Sequence, residues 1–179
     1  MRLVISMFLT LFMVSAVGCG YTTDSLLPPE LSSIHIDNFE NKINVSGVVS
    51  NKRQVYSYWP GLEVDITRAV IDKFIFDRRL EVDSSEKATM QLKGTLVDFR
   101  LYPLSYNQED NIEEFRVEVY VDLELHNNLT GELMWKESRF MGQYDFRVTG
   151  PNAKTETAAV NGAVVDLSER IEERVIEAW

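Results

Sequence analysis

Few side chains in this sequence could do covalent chemistry, and the first is Cys19, the only cysteine. Ahead of it stand Arg2, the apolar run Leu3–Val14 and the small residues Ser15-Ala16-Val17-Gly18, which together read as the charged start, apolar core and cleavage site of a secretory signal. A lone thiol in an exported chain has no disulfide partner, so its chemistry is an attachment. The two histidines, His35 and His126, sit in no serine- or cysteine-hydrolase motif, and no zinc or phosphate-loop spacing occurs. The acidic pairs Asp122/Glu124 and Glu113/Glu114 have the residue type of glycosidase carboxylates, but such neighbours along a strand are far more often solvated surface. The expectation is a non-enzyme without metal or cofactor. What remains is anion binding: Arg100, Arg116, Lys136, Arg139 and Arg147 fall on three long strand patterns or their ends, where guanidinium groups could grip a phosphate bidentately. The other reading is that these cations pair with Glu118, Asp122 and Glu137 across strands, each pair worth at most ~1 kcal/mol.

The small-residue site Ala16-Val17-Gly18-Cys19 resembles that of bacterial lipoproteins, in which the cysteine becomes the acylated first residue, palmitate being a typical chain. The apolar run is shorter than the ~20 residues a membrane span needs, and Gly18-Cys19-Gly20 breaks it. The expected organisation is a signal peptide at 1–18, a tether at 19–33 and a single domain at 34–179. Gly20 stands where an aspartate would favour inner-membrane retention in Gram-negative lipoproteins, which points to the outer membrane. Eighteen Lys+Arg against 28 Asp+Glu give a formal charge of −10, which repels nucleic acid and, unless a basic patch is segregated, anionic lipid surfaces too.

The elements that must carry these residues follow from periodicity. Ile34-His35-Ile36-Asp37 reads as a short strand with His35 on its polar side, and 40–58 as a long loop. Pro60 opens a helix as its first residue, with Leu62, Ile66, Ala69, Val70 and Phe74 as its stripe and Val64, Ile71 and Ile75 widening it. Asp77-Arg78-Arg79 ends it, with basic residues suited to the last turn. A second strand runs from near Thr89, slips at Val97 as a bulge would, and is stopped by Pro103. Phe115, Val117, Val119, Val121, Leu123 and Leu125 alternate with polar residues, giving a strand with one dry and one wet face. Past the turn 127–131 comes the strand Leu133–Phe146, and then a helix from about Thr155 to Trp179, with Ala178 on its apolar face and an Asp166–Arg170 pair on the other. The fold expected is α+β: a mostly antiparallel four-stranded sheet, in the order β-α-β-β-β-α, with two amphipathic helices on one face.

The chain resembles the LptE family of lipopolysaccharide-assembly lipoproteins, which work with the outer-membrane barrel LptD. The matching pieces are Gly18-Cys19-Gly20-Tyr21, Ile36 with Phe39 and Asn41, Thr67-Arg68-Ala69, Leu92 with Gly94, Thr130-Gly131 before Trp135, and Ile176 to Trp179. One departure is that the chain stops at Trp179 without the polar extension some members carry. The resemblance implies an LptD-like β-barrel and lipopolysaccharide as partners, a lipid anchor in the outer membrane, and a domain on the periplasmic side or inside the barrel. It also implies that a basic residue beyond the last turn contacts lipopolysaccharide; Arg139 matches that position best and Lys136 is its neighbour, with Arg116 and Arg100 as further candidates. The competing expectation is an auxiliary lipoprotein subunit of another envelope lipid-transport complex.

If Cys19 is the acylated residue, Cys19→Ala leaves a precursor that the lipoprotein peptidase does not cut. Intact mass spectrometry checks this, and an unlipidated product starting at residue 19 would contradict it.

Overall fold

One long alternation decides how the chain folds. In the computed structural model, which describes residues 28–43 and 59–177, Val117, Val119, Val121, Leu123 and Leu125 are fully buried on one side of a single strand. The signal peptide, Cys19, most of the tether, residues 44–58 of the long loop, and Ala178 with Trp179 lie outside the described residues. In chain order the elements are β1 (Ser33–Ile36), β2 (Glu40–Asn41), α1 (Leu62–Asp77), β3 (Glu81–Val82), β4 (Met90–Tyr106), β5 (Ile112–Asn127), β6 (Glu132–Arg147) and α2 (Glu156–Ile176).

The described strands form a six-stranded sheet in the order β3-β1-β4-β5-β6, with β2 beside β4. This corrects the expectation of four mostly antiparallel strands. The meander β4-β5-β6 is antiparallel as expected, but β1 runs parallel to both β3 and β4, and β2 runs parallel to β4. The two strands that periodicity misses, β2 and β3, have two residues each, too few to display a period of two. A strand, a crossover helix and a second strand bring β1 and β3 side by side in the same direction, with Ser33 opposite Glu81.

Both helices cover the same face: α1 lies on β1 and β3, α2 on β5 and β6, and the helices pack on each other. The start of α1 is Gly61, whose φ of 81° a residue with a side chain rarely adopts, so Pro60 lies outside the helix and is not its first residue. Leu62, Ile66, Thr67, Val70 and Phe74 are its buried stripe, whereas Val64 and Ile75 are more than half exposed. Those two lie about a third of a turn around the helix from the stripe, where neither sheet nor α2 meets them. No basic residue occupies the last turn of α1; Arg78 closes it through its backbone, donating N–H to the Phe74 carbonyl at 3.1 Å. At the start of α2, Thr155 Oγ1 accepts from the Ala158 N–H at 3.2 Å, which satisfies one of the free donors there.

The slip at Val97 is a bulge, with the register jumping between Leu96 and Asp98. Pro103 does not stop β4, which runs on to Tyr106 with Pro103 opposite Phe115. A proline is tolerated there because among the described residues β1 borders β4 only as far as Leu92 and β2 only as far as Leu96, so this stretch is an edge.

Two glycines let α2 lie against β6. A Cβ on Gly142 would stand 2.5 Å from Leu167 Cβ and 2.6 Å from the Ala163 carbonyl oxygen, and one on Gly162 would stand 2.5 Å from the Tyr144 ring. The first clash is with helix backbone and cannot be relieved by a rotamer change. Gly142→Ala should therefore cost about 1–3 kcal/mol by overpacking. The thermal midpoint should fall by about 2–4 °C per kcal/mol, as expected for a domain of this size. An unchanged midpoint would show that the helix is not seated this tightly.

Candidate functional site

With the helices on one face, the other face of the meander is left open, and its side chains are those at the alternate positions. Along β5 they run Arg116, Glu118, Tyr120, Asp122, Glu124 and His126, flanked by Asp98, Arg100 and Tyr102 of β4 and by Lys136 and Arg139 of β6. Arg100, Arg116, Lys136 and Arg139, four of the five cations expected to bind an anion, therefore share this face. Arg139 reaches it through a second bulge: the register shifts between Val121 and Leu123, and Arg139 takes φ 54°. Its N–H donates to Asp122 Oδ1 at 2.9 Å, so the aspartate opposite the extra residue holds the bulge. This also explains Phe140, whose break of the Leu133/Trp135 alternation is the same bulge. Arg147, at the end of β6, is exposed.

The four cations do not form one site. Arg139 and Arg100 meet at Tyr120, their guanidinium carbons 4.4 and 5.3 Å from its ring centroid, and both bond Asp98 Oδ2, Arg139 through Nη2 at 3.1 Å and Arg100 through Nε at 2.9 Å. Each arginine face over an aromatic ring gains a cation–π contact that an ammonium would make with less area. Arg116 instead donates to both oxygens of Asp145, at 2.6 and 2.7 Å. That carboxylate raises the Arg116 pKa further above its usual value, and the guanidinium holds Asp145 below its own. Lys136 bonds Glu124 at 2.7 Å, and the hydrogen bond draws the carboxyl pKa down and the ammonium pKa up. By strand spacing Glu124 lies roughly 14 Å from Tyr120, so Lys136 belongs to a separate end of the face. There it lines a groove of about 320 Å³ shared with Asp37, Lys42, Lys93 and Asp122.

Ion pairs therefore hold these cations, Arg100 within its own strand and the others across strands, though mostly not with the carboxylates expected. Glu137 turns toward α2 and accepts from Arg174 Nε at 2.8 Å. Glu118, expected on a wet face, is 7% exposed and lies between two phenols, accepting from Tyr102 and, at 2.7 Å, from Tyr120. Periodicity alone could not reveal this, since it assigns Glu118 a face and not a depth; the tyrosine two places on was the available signal. His35 is half-buried, with Nδ1 2.9 Å from the Asp83 carbonyl and Nε2 3.3 Å from Asp37. Among the described residues no group of three or more His, Cys, Asp or Glu is placed to hold a metal ion.

Burial first, and then the Glu118 hydrogen bond and charge, push the pKa values of Tyr102 and Tyr120 above the ordinary phenol value. The neutral phenols are thus favoured in the folded state, a stabilisation fully present below pH ~10 and lost as pH rises through the folded values. Glu118→Gln removes the charge, so ultraviolet titration of the variant should show two tyrosines ionising at lower pH than in the parent. Superimposable curves would detach Glu118 from both hydroxyls.

No curated protein matches this chain in sequence. Among solved structures, a hypothetical protein from Chlamydia trachomatis superposes with a TM-score of 0.50 at 9% identity, covering 80% of this chain and 95% of that one. A protein from Xanthomonas campestris gives 0.47 at 13% identity over 83% and 84%. A minor lipoprotein from Acinetobacter baumannii gives 0.46 at 8% over 83% and 92%. At these identities the likeness concerns the fold alone. In sequence, residues 31–176 match the family model LptE, lipopolysaccharide-assembly, from the turn before β1 to the last residue of α2. The chain belongs to the LptE family.

Proposed function

We propose that this protein is a lipid-anchored outer-membrane assembly factor that binds a β-barrel of the LptD kind and lipopolysaccharide, and assists insertion of the lipid into the outer leaflet. The observation that carries the reading is the family match across residues 31–176. The signal and small-residue site before Cys19 support the anchor, with 1–18 removed, the residues from Cys19 toward Leu31 as tether, and the remainder as one domain. The open face supports the ligand. Arg139 and Arg100 converge there on Tyr120, which offers two planar donors beside an aromatic surface, and Lys136, Lys42 and Lys93 border the adjoining groove. Lipid A phosphates would take the guanidinium groups bidentately. Arg116, tied to both oxygens of Asp145, is the weakest of the four candidates.

Charge reversal tests this. Arg139→Glu with Lys136→Glu should weaken lipopolysaccharide binding roughly ten- to a hundredfold, the loss expected for charge-assisted contacts worth about 1.5–3 kcal/mol. Both residues are exposed and each reversal breaks a surface ion pair worth about 0–1 kcal/mol, so the fold should survive the change, which a thermal melt of the variant checks. Equal affinity of parent and double variant for purified lipopolysaccharide would remove both residues from the site, and failure of the anchored protein to co-purify with a barrel would remove the partner.

A further inference from the structure

Two β-bulges face each other across β5. In β4 the register jumps between Leu96 and Asp98, which sets Asp98 opposite Tyr120; in β6 Ser138 and Arg139 both stand between the partners of Val121 and Leu123, opposite Asp122. A shift of one place turns a side chain to the other face, so without the first bulge Val97 would lie opposite Tyr120 and Asp98 would point toward the helices. Bulges recur beside functional sites, where they re-aim a side chain. Here the re-aimed groups meet: Arg139 Nη2 lies 3.1 Å from Asp98 Oδ2, beside the Tyr120 ring. Arg139 also takes φ 54°, a left-handed conformation that a residue with a side chain keeps only where its surroundings fix it. Asp122 fixes it, accepting the Arg139 N–H at Oδ1 over 2.9 Å.

We propose that the two aspartates act on anion binding in opposite senses. Asp122 is a positioning residue that works through the Arg139 backbone, and Asp98 is a resident competitor that holds two guanidinium groups where a phosphate oxygen would. The inference rests on the phosphate-binding role proposed above for Arg139 and Arg100. Charge alone predicts otherwise, since removing either carboxylate makes the face less negative and favours any anion. The geometry separates them. Asp98 accepts from Arg100 Nε at 2.9 Å and from Arg139 Nη2 through the same oxygen, while the Tyr120 ring faces both guanidinium groups independently of it. Asp98→Asn therefore releases charge-assisted donors and leaves them in place. Asp122 meets Arg139 at its main chain, and an amide oxygen can accept the same N–H. Asp122→Asn therefore keeps the bulge, and Asp122→Ala loses its acceptor.

The test is equilibrium binding of the full chain, in detergent, to purified lipopolysaccharide and to the same lipid after its phosphates are removed. Asp98→Asn should bind the phosphorylated lipid roughly two- to tenfold more tightly and Asp122→Ala more weakly by a similar factor, the scale of one hydrogen bond, with Asp122→Asn at or above the parent. These differences should vanish with the dephosphorylated lipid. In an Arg139→Glu background Asp122→Ala should change affinity no further, an outcome that general loosening of the sheet does not give. Asp98→Asn leaves the bulge acceptor untouched, so it tests the inference even where Asp122→Ala weakens the fold. Equal or tighter binding by Asp122→Ala, equal losses in Asp122→Ala and Asp122→Asn, or equal or weaker binding by Asp98→Asn overturns the inference, and the phosphate reading stands as long as Arg139→Glu still weakens binding. Parental affinity in Arg139→Glu overturns that reading and the inference with it.

Discussion

The close seat of α2 on β6 fixes what every other surface of this domain can be. Gly142 and Gly162 remove the two side chains that would keep helix and strand apart, and Leu167, Ala163 and Tyr144 fill the space. Once α2 lies there, the odd-numbered side chains of β5 from Val117 to Leu125 are dry and the even-numbered ones are committed to the other side. The helix and the segment before it also guard the outer edge of β6: Asp166 accepts the Gln143 backbone N–H at 2.8 Å, and ahead of the helix Lys154 donates its N–H to the Arg147 carbonyl at 2.8 Å. A long edge strand with free donors invites pairing with other chains, and these two contacts occupy part of it.

The long elements were legible because each spans several periods of its own repeat. The β5 alternation, the α2 stripe and the slip at Val97 all have that property, and each became the element expected. The parallel half of the sheet was not legible, since β2 and β3 offer two residues apiece and their pairing depends on how α1 returns the chain. For the candidate site the sequence located the cations but not their partners. Whether Arg139 faced helix or open side turned on one extra residue in β6, and the clue was Phe140 falling out of step. Glu118 was assigned to solvent by parity, and the two phenols that bury it come from positions that parity merely calls exposed.

A second clasp joins the two helices by polar means. Arg79, just past α1, donates to Asp77 at 2.5 Å and to Glu172 of α2 at 2.6 Å, and Glu172 is almost wholly buried. Burial pushes the Glu172 pKa up while Arg79 opposes that shift; the same guanidinium holds Asp77 down. Removing Arg79 would leave a buried carboxylate uncompensated, a larger penalty than the net worth of the intact pair. The clasp therefore specifies how the helices meet more than it adds to stability.

On the open face the same accounting bears on how an anion could bind. Every candidate cation there already holds a carboxylate, so a phosphate does not enter an empty positive pocket; it competes with Asp98 for Arg100 and Arg139, or with Glu124 for Lys136. The exposed pairs are worth about 0–1 kcal/mol each, whereas a charge-assisted contact to phosphate contributes about 1.5–3. The exchange is then favourable by about 0.5–3 kcal/mol per contact, less than the full strength of the phosphate contact wherever the broken pair was worth anything. A face arranged in this way would keep an acidic protein from gathering stray polyanions and, under the proposed function, would release a phosphorylated lipid as readily as it takes one. If the protein hands lipid onward as proposed, weak and exchangeable contacts would serve it better than a deep site.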